Sequence, residues 1–427
     1  MTCPLRKRHE VIQIRASGGI SVMRERTERF FPKFAGFRFA LLSVFILFSL
    51  VGAACAAQKY HIGIVTSTVS QSEDSARGAE FIMAKYKSTS DGGIVKYITY
   101  PDNFSAEMET TISQIASMAD DPKMKVVVVC EAIPGTTEAF RRIKEKRPDI
   151  ICLAGEAQED PSMISAVADL SLSQDFVTMG YIMIQAAKKL GAKTYVHASF
   201  PRHMSYELLA RRRAIMESTC KELGIRFVFE STPDPNSDVG VAGAQQYLLE
   251  KVPAWVKQYG KKTAFFTTAN AQVEPMLRQI AAHGGMYVQA DSPLQGFPGA
   301  FGLDLSKERG NFPAILKKIE STVVEKGARG RLATWPYPSG FGITAALGEF
   351  AKRLADGKAK PKDMGQLIDS MNTVTPGVKW KAAAYTDVGT GAKLTNFILA
   401  YQDTYLLGKG PLHMDKVSVP AKIYKIK

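Results

Sequence analysis

The sequence predicts an α/β protein made of two doubly wound parallel-sheet lobes that are joined by a multi-strand hinge. Apolar or β-branched runs alternate with helical patterns from residue 60 onward, which is typical of a parallel sheet with helical crossovers. Runs such as VVVVC (126–130) are apolar without alternation, which indicates strands covered on both faces. The pattern then restarts near residue 174 and continues for a second lobe.

The first lobe is predicted from four strand patterns and the helical patterns between them. The predicted strands are 61–66, 95–100, 125–130 and 150–154, and the predicted helices are 72–87, 105–119 and 136–146. The second lobe is predicted from strands at 194–198, 226–230, 263–268 and 286–289, and from helices at 174–190, 205–223, 241–258, 270–283 and 312–326. A further helix is predicted at 342–355.

The two predicted lobes begin alike. HIGIVTSTVSQSEDSARGAEF in the first parallels TYVHASFPRHMSYELLARRRAIM in the second, each reading as a strand, a Ser-containing loop and a helix. Any two strand-helix units share this pattern, so the likeness alone leaves a chance match open. Two similar lobes in tandem nevertheless make a protein with an interlobe cleft the leading hypothesis.

The predicted domain boundaries follow from these units. We expect a leader at 1–57, lobe 1 at 58–168, lobe 2 at 169–335, and at 336–427 a return to lobe 1 with a C-terminal extension. Three segments are candidate crossovers between the lobes: 164–176, 296–306 and 332–342. The tail after residue 379 contains patterns typical of added strands.

The chain's positive charge is partly a property of its N-terminus. Of 427 residues with a formal net charge of +14, the first 58 hold nine Lys/Arg and three Asp/Glu, which leaves 46 basic and 38 acidic residues, or +8, for the rest. The one tight basic cluster is Arg211, Arg212 and Arg213, for which we expect a solvated helix face. Nucleic-acid binding would require basic and aromatic residues on one face, so we expect no nucleic-acid partner.

The N-terminus is predicted to be an export signal. Basic residues precede an uncharged run, FALLSVFILFSLVGAACAA (39–57), that ends in small residues. We expect cleavage after Ala56 or Ala57, with Met23 as an alternative start to Met1. Lipidation at Cys55 is one alternative, and an uncleaved anchor is another because the run is long enough to span a bilayer. The protein is therefore expected to be periplasmic or at the cell surface.

The cysteines and histidines indicate no metal site. Cys130 and Cys152 lie in apolar strand patterns, Cys220 in a helical one, and no CxxC or HExxH occurs. A Cys130–Cys152 disulfide is possible only if their strands neighbour each other, where the geometry is usually unfavourable. We predict no metal and no cofactor.

The loop after the first predicted strand, TSTVSQSEDS (66–75), lacks the spacing of a phosphate loop or a nucleophile elbow. Ser70 and Ser72 suit the N-terminal cap of the following helix. Thr66 and Ser67 are nearest the strand end, where open α/β sheets bind ligands. We therefore predict that Thr66 and Ser67 face a solute.

Polar residues after other strands complete the predicted site. Ligands bind at the carboxyl edge of such sheets, so each is a candidate, although a surface role is the simpler reading for any one of them. Trp335 and Tyr337 lie at a predicted hinge, where an aromatic ring could stack on a solute or only pack the lobes. Together with Thr66 and Ser67, the predicted ligand-binding residues are Glu131, Glu156, Ser199, Arg202, His203, Asp234, Asn270 and Trp335.

An exported hydrolase that uses the same cleft is the alternative to a binding protein. Ser199 and His203 follow one predicted strand and could form a nucleophile–base pair, but no third orienting residue can be assigned. A sensory or interaction protein without a transport role is a further alternative. We predict no enzymatic activity and no catalytic residue.

The segment VADLSLSQDFVTMGYIMIQAAKKLGAKTYVHASF (167–200) resembles the first crossover of type 1 periplasmic binding proteins. An extended segment with Asp169 or Asp175 leads to a helix with Gly180 at its centre, and a G-x-K turn at 191–193 precedes the next strand. The resemblance spans roughly residues 59–357. The chain also resembles an exported bacterial family of unknown function, and in style the basic-membrane-protein-like binders of nucleosides.

This resemblance implies the substrate-binding component of an ABC-type transporter. Its partners would be a small polar solute, such as a nucleoside or a sugar, and a membrane permease, and we expect a monomer. The segment beyond about residue 360 departs from the pattern. No ligand-specifying motif carries over, so the identity of the solute stays open.

Overall fold

The computed structural model describes residues 60–69, 71–104, 106–235 and 237–427. The predicted leader, Cys55 and both candidate starts lie outside these residues, as does Ser70. Residues Gln58–Lys427 are grouped by their contacts into one compact unit.

The described chain alternates strands and helices. The strands are β1 (His61–Thr66), β2 (Val95–Thr99), β3 (Met124–Cys130), β4 (Ile151–Gly155), β5 (Leu170–Gln174), β6 (Thr194–Ser199), β7 (Arg226–Ser231), β8 (Thr263–Thr267), β9 (Met286–Ala290), β10 (Leu332–Thr334), β11 (Lys381–Thr386), β12 (Lys393–Tyr401), β13 (Tyr405–Leu406) and β14 (Gly410–Pro411). The α-helices are α1 (Glu73–Tyr86), α2 (Met108–Ala116), α3 (Thr136–Lys146), α4 (Pro161–Ser165), α5 (Phe176–Lys189), α6 (Pro201–Met204), α7 (Glu207–Leu223), α8 (Gly240–Tyr259), α9 (Val273–His283), α10 (Phe297–Phe301), α11 (Phe312–Glu325), α12 (Ser339–Ala355) and α13 (Met364–Val374).

Two seven-stranded sheets form the two lobes. The first has the order β11-β12-β5-β4-β3-β1-β2, and the second β14-β13-β10-β9-β8-β6-β7. The first five strands of each lobe are parallel and follow the same 2-1-3-4-5 order, which is a doubly wound arrangement. The predicted α/β class is confirmed, and the similar openings of the two halves correspond to the same position in each sheet.

Burial explains why the central strands lack alternation. In β3, every residue except Lys125 is buried, and all six residues of β6 are buried. Helices cover both faces of each sheet, so either face of a central strand meets apolar side chains. Cys130, Cys152 and Cys220 are buried free thiols in this core. Cys130 pairs in register with Gly155, and Cys152 with Val127, so the two cysteines are not opposite each other.

The chain passes between the two sheets three times. It leaves the first sheet after β5, returns between β10 and α12, and leaves again between β12 and β13. The candidate crossover at 332–342 coincides with the second passage. The candidate at 296–306 does not cross, because it forms α10, which packs on α9 and α11 in the second lobe. The third passage lies in the tail, at 401–405.

The observed lobes differ from the predicted boundaries. The predicted second lobe begins at residue 169, whereas β5 (170–174) pairs with β4 and β12 in the first sheet. The region predicted to return to lobe 1, 336–427, does supply α12, β11 and β12 to the first sheet. It also supplies β13 and β14 to the second sheet. A local sequence pattern cannot reveal this split, because it predicts a strand without indicating which sheet the strand joins.

Candidate functional site

A cavity of about 740 Å³ lies between the two lobes. Its wall is built from the loops and helix starts that follow the parallel strands of both sheets. Doubly wound sheets open a crevice where neighbouring strands connect to opposite faces, here at β1/β3 and at β6/β8. The fold thus brings two such crevices face to face, with the hinge at one end.

Ser67 and Glu131 mark the crevice of the first lobe. Ser67 follows β1, Glu131 follows β3, and the Ser67 hydroxyl donates to Glu131 Oε2 at 3.2 Å. Ser75, in the first turn of α1, donates to Glu131 Oε1 at 3.4 Å. The Tyr100 hydroxyl donates to the Glu131 backbone carbonyl at 3.1 Å. The carboxylate is therefore held in place by hydroxyl groups rather than by a cation.

Glu131 and Glu156 share an unusual backbone conformation. Their φ angles are +48° and +49°, in the left-handed region that non-glycine residues rarely adopt. Each follows the end of a parallel strand, β3 or β4, and each side chain reaches the cavity wall. Such conformations cost about 1–3 kcal/mol each and cluster at functional sites, because the surrounding structure must enforce them. The pair therefore points to a role beyond packing.

Gln174 joins both lobes and the hinge through one amide nitrogen. Its Nε2 lies 3.1 Å from Glu156 Oε1 and 3.0 Å from Asp291 Oδ2. It also lies 2.9 Å from the Ser339 hydroxyl. Glu156 belongs to the first lobe, Asp291 follows β9 in the second, and Ser339 starts α12 after the second passage. Gln174 thus contacts both lobes and the second chain passage at one place.

Burial raises the pKa of the cavity carboxyl groups. The pKa of Asp74 rises to about 7 because burial disfavours its charge, with neighbouring carboxylates adding to the effect. The pKa of Glu156 rises to about 8 for the same reasons, and Glu131 has the largest effect among the neighbouring carboxylates. Burial also raises the pKa of Glu131 and of Asp291. The cavity therefore holds carboxyl groups that titrate near neutral pH.

Arg202 and His203 form the opposite wall, in the second lobe. The Arg202 guanidinium donates to both oxygens of Asp234, at 2.7 and 2.9 Å. His203 packs on Phe200, with ring centroids 4.2 Å apart. Burial, with the nearby charge of Arg202, lowers the pKa of His203 to about 4, so the imidazole is neutral at physiological pH.

Ser199 and His203 each bond to Thr268 rather than to each other. The Ser199 hydroxyl lies 2.6 Å from Thr268 Oγ1, and His203 Nδ1 lies 3.1 Å from the same atom. A general base must reach the hydroxyl that it activates. The structure therefore uses these two side chains to position Thr268, which lines the cavity.

Six of the ten predicted ligand-binding residues line the cavity: Ser67, Glu131, Glu156, Arg202, His203 and Asn270. The other four lie outside its wall: Thr66, Ser199, Asp234 and Trp335. Thr66 is fully buried and its hydroxyl bonds to the Ser67 carbonyl and to Tyr97. Ser199 lies beneath Thr268, and Asp234 is occupied by Arg202.

Trp335 is fully buried at the hinge and lies outside the cavity wall. Its ring packs edge-on against Trp380, with centroids 6.0 Å apart. The prediction offered stacking or lobe packing, and the structure places this side chain in lobe packing. Tyr337 is also buried, although its hydroxyl donates to the Pro376 carbonyl at 3.2 Å.

Ser72 occupies the N-cap position of α1, as predicted, but its hydroxyl makes no capping bond to the backbone in the described chain. It lies 3.3 Å from the Ser75 hydroxyl and lines the cavity. The cap is therefore incomplete, and the Ser-rich loop contributes to the cavity through Ser72 as well as Ser67.

The prediction for the basic cluster was wrong. Arg211 and Arg212 are 2% and 4% exposed, and Arg213 lies over the Phe229 ring at 3.7 Å from its centroid. Arg212 lines the cavity, and its guanidinium is 4.6 Å from the Phe176 ring centre and 4.7 Å from that of Phe266. A run of arginines in a helix predicts a solvent-exposed face. Here aromatic rings from elements distant in sequence cover the arginine side chains.

Sequence reasoning also missed Asp74, Gln174, Gln289 and Asp291 on the cavity wall. Asp291 follows β9 directly and satisfied the rule applied to the other strands, so its position could have been predicted. Asp74 lies in the first turn of α1, where an acidic residue is common for helix stability alone. The two glutamines lie within strands, and no sequence pattern indicated that they would line a cavity.

One group of side chains in the described chain is close enough to hold a metal ion. Asp403, His413 and Asp415 have ligand atoms within 4.8 Å of one another. Asp403 already accepts bonds from the backbone of His413 and Met414. The group is partly exposed and lies outside the interlobe cavity.

Solved structures share this fold. A protein from Clostridium difficile 630, provisionally described as a transcriptional regulator, matches with a TM-score of 0.70 and 22% identity, over 82% of this chain and 99% of its own. A sugar ABC transporter protein from Actinomyces odontolyticus matches with a TM-score of 0.50 and 9% identity, over 85% and 99%. At these identities the matches bear on the fold alone, which is that of type 1 periplasmic binding proteins.

Relatives found by sequence are more similar to this chain than these solved structures are. An uncharacterized protein of Treponema pallidum (strain Nichols) is 37% identical over 216 residues, which are 51% of this chain and 99% of the relative. A second from the same organism is 42% identical over 186 residues, 43% of this chain and 84% of the relative. The model of a family described as protein of unknown function (DUF3798) matches residues 60–333. The chain therefore belongs to the DUF3798 family.

Proposed function

We propose that this protein is an extracytoplasmic solute-binding receptor that holds a small polar solute between its lobes and presents it to a membrane permease. The cavity of about 740 Å³ between two doubly wound lobes carries this proposal. Its volume suits a small molecule, and its wall combines aromatic rings with hydroxyl, amide and carboxyl groups, as ligand sites do. Closure about the hinge would enclose the solute.

The remaining parts of the proposal rest on the sequence. The basic and apolar N-terminal run supports export, and a sugar, a nucleoside or a similar compound is the class of solute suggested by the resemblance. Among the helices that the structure describes, none combines the length and apolar character that a membrane span requires. Intact mass measurement of the exported protein would identify cleavage after Ala56 or Ala57, or a lipid on Cys55.

The hydrolase alternative has no support in the geometry of its proposed residues. Ser199 is fully buried and bonded to Thr268, and His203 bonds to the same hydroxyl. A nucleophile has to reach the substrate, and Ser199 is separated from the cavity. We therefore propose a binding role rather than catalysis.

Ligand capture and closure test the receptor proposal. We expect native mass spectrometry of the protein purified from its own host to show a bound small molecule. Adding solutes from a panel to the stripped protein is expected to raise the melting temperature for at least one compound. Small-angle scattering should then show a smaller radius of gyration, because hinge closure brings the lobes together.

A paired substitution provides the control. Ala157 lines the cavity, so Ala157→Trp should fill part of it and abolish the thermal shift. Ala84 is exposed on α1, away from the cavity wall, so Ala84→Trp should leave the shift intact. If Ala157→Trp binds as the unaltered protein does, or if the whole panel gives no shift, the receptor proposal is wrong.

A further inference from the structure

Four cavity carboxylates from both lobes form no ion pair with a basic residue of the described chain. Asp74, Glu131 and Glu156 belong to the first lobe and Asp291 to the second, and all four line the cavity. None of the ion pairs in the described part of the chain involves them. All four residues are half-buried, and charges withdrawn from solvent are ordinarily paired, so four carboxyl groups without an ion pair on one wall indicate a partner from outside the chain.

Other acidic residues on the same wall have structural tasks. Glu159 accepts bonds from the Gly135 and Thr137 backbone at the start of α3. Asp160 caps α4, and Glu207 accepts from the Tyr385 hydroxyl at 2.8 Å. Among the described residues, the hydrogen bonds to the four carboxylates come from neutral groups, which include the amide of Gln174 and the hydroxyls of Ser67, Ser75 and Ser292. They are therefore distinguished from the ordinary acidic residues of a loop surface.

The cavity's own arginines do not balance this charge. Arg202 is committed to Asp234 through two hydrogen bonds. Arg212 contributes one positive charge near Asp291, which is among the influences on its pKa. One guanidinium against four carboxyl groups leaves the wall acidic whenever they are ionised.

Unpartnered polar atoms at the same wall give an independent indication of a ligand. Gln174, Arg212 and Gln289 line the cavity and are 6%, 4% and 1% exposed. Within the described residues, Gln174 Oε1, Arg212 Nε and Gln289 Nε2 have no hydrogen-bond partner. A buried polar group without a partner costs about 1–3 kcal/mol, so Gln174 Oε1 calls for a donor, and Arg212 Nε and Gln289 Nε2 call for acceptors, that the described residues do not supply. Gln174 Oε1 is an acceptor, so its missing partner is an N–H or O–H group. The nitrogen of the same amide bonds to Glu156 and Asp291.

The spacing of the carboxylates favours an extended organic cation over one metal ion. Among the described residues, the only group of three or more such side chains with ligand atoms within 4.8 Å of one another is the one at Asp403. The cavity is also far larger than a single ion. Tyr100, Phe104, Phe200 and Tyr206 line it, and aromatic faces attract organic cations and cover apolar carbon.

We infer that the solute is a small organic cation whose protonated amine or amidine groups lie among Asp74, Glu131, Glu156 and Asp291, with its carbon skeleton against the aromatic wall. This inference rests on the proposed receptor function and specifies its ligand class. Gln174 Oε1 accepts one N–H of the cation, and the carboxylates supply the charge. Neutral sugars would leave the four carboxyl groups without a countercharge.

Calorimetry with a matched set of solutes tests the charge. We expect putrescine, spermidine or agmatine to bind at least tenfold more tightly at pH 8 than ribose, galactose or adenosine. Affinity for the cation should fall at least tenfold from pH 8 to pH 5. The carboxyl groups with raised pKa are protonated at pH 5, and binding must then displace those protons. Binding at pH 7 should accordingly release protons, measurable from buffers of different ionisation enthalpy.

Isosteric substitutions locate the interaction. Glu156→Gln and Asp291→Asn should each weaken cation binding at least tenfold and reduce the proton release. Glu217 is exposed on α7 and outside the cavity wall, so Glu217→Gln removes one negative charge as a control and should leave the affinity unchanged. A melting curve for each variant establishes that it is folded.

The outcomes separate this inference from the receptor proposal. Tight, pH-independent binding of a neutral sugar or nucleoside would overturn the cation and leave the receptor function standing. Equal loss of cation binding in Glu217→Gln and Glu156→Gln would also overturn it, because the effect would then be one of net charge. The absence of binding by every charged and neutral solute would overturn both.

Discussion

The pKa values of Asp74 and Glu156 depend on the environment that the fold creates around each side chain. Both are carboxyl groups whose ordinary pKa lies near 4, and the cavity raises those values to about 7 and 8. Burial is the main cause, and neighbouring carboxylates reinforce it. At the residue scale, these two carboxyl groups are therefore more stable with a bound proton or beside a positive charge than as isolated carboxylates.

This preference makes the stability of the unliganded protein depend on pH. Between pH 4 and 8 these two carboxyl groups bind more protons in the folded state than in the unfolded state, so their contribution to the free energy of unfolding falls as pH rises. We expect a contribution of about 1–3 kcal/mol to the loss between pH 5 and 8, discounted because the groups open to a solvated cavity. Urea unfolding at the two pH values measures the difference.

A double variant provides the comparison for that experiment. Asp74→Asn with Glu156→Gln should flatten the decline, because neither amide titrates, whereas Glu217→Gln should leave it as in the unaltered protein. A double variant that declines as steeply as the unaltered protein would show that other groups cause the pH dependence.

Arg211 shows a residue whose role depends on the far end of the chain. Its guanidinium donates to three backbone carbonyls, those of Ile426, Thr386 and Tyr424, at 2.9, 3.3 and 2.6 Å. Two of these carbonyls belong to the C-terminal tail. Arg211, on α7, therefore hydrogen-bonds both to the C-terminal tail and to β11, the edge strand of the first sheet.

Replacing Arg211 with Met should destabilise the protein by about 2–4 kcal/mol, because it leaves three carbonyls without their charged donor. Limited proteolysis should then release the last residues of the chain sooner than in the unaltered protein. Arg213→Met is the control, since Arg213 packs on Phe229, and it should cost about 1 kcal/mol or less. Equal protease resistance of both variants would argue against this role of Arg211.

At the scale of elements, the packing of α1 against α12 positions the cavity's first-lobe wall. A Cβ added to Gly78 would lie 2.7 Å from Thr344 Cβ and 3.0 Å from the Phe341 carbonyl oxygen. The two helices therefore approach closely because Gly78 has no side chain. α1 begins beside the cavity with Asp74, and α12 begins beside it with Ser339, so this contact sets the distance between two parts of the site.

Gly78→Val should destabilise the protein by about 1–3 kcal/mol, because α12 presents backbone that cannot move aside. Ala84→Val is the matched control on the exposed side of α1, and it should cost about 0.5 kcal/mol from the lower helix propensity of valine. Thermal unfolding of the two variants measures the difference. Equal melting temperatures would contradict the close approach as the cause.

At the scale of the whole molecule, three chain passages form the hinge, and polar side chains tie them together. Gln402, at the third passage, accepts from the Tyr337 backbone N–H at 3.2 Å and donates to the Tyr337 carbonyl at 3.1 Å. Thr404 donates to Gln289 at 3.1 Å. The Gln402 side chain thus bonds the third passage to the backbone of the second.

Gln402→Leu should destabilise the protein by about 2–4 kcal/mol, because it leaves two buried backbone groups without partners. The Tyr337 amide should also exchange with solvent faster, since its acceptor is lost. Gln246, exposed on α8, provides the control variant Gln246→Leu, which should change neither quantity measurably. Unchanged exchange at Tyr337 in Gln402→Leu would rule out this account of the hinge.

The sequence by itself determined the two α/β lobes, because continuous apolar strands and helical periodicity are local signals of burial. It also determined that Ser67, Glu131 and Glu156 meet at one sheet edge, since parallel strands present their carboxyl ends together. It did not distinguish Thr66 from Ser67, adjacent residues whose side chains face opposite sides of the chain.

Only the tertiary structure decided which charges are buried and what they meet. Arg211 and Arg212 read as a solvated cluster because their partners, the C-terminal carbonyls and two aromatic rings, lie far away in sequence. Asp74 lies near Glu156 because the first sheet brings the starts of distant loops and helices to one edge, and Asp291 lies near it because the hinge brings the second lobe to face the first. Local pattern specifies which residues are apolar, whereas the electrostatics of a cavity depend on distances that the complete fold sets.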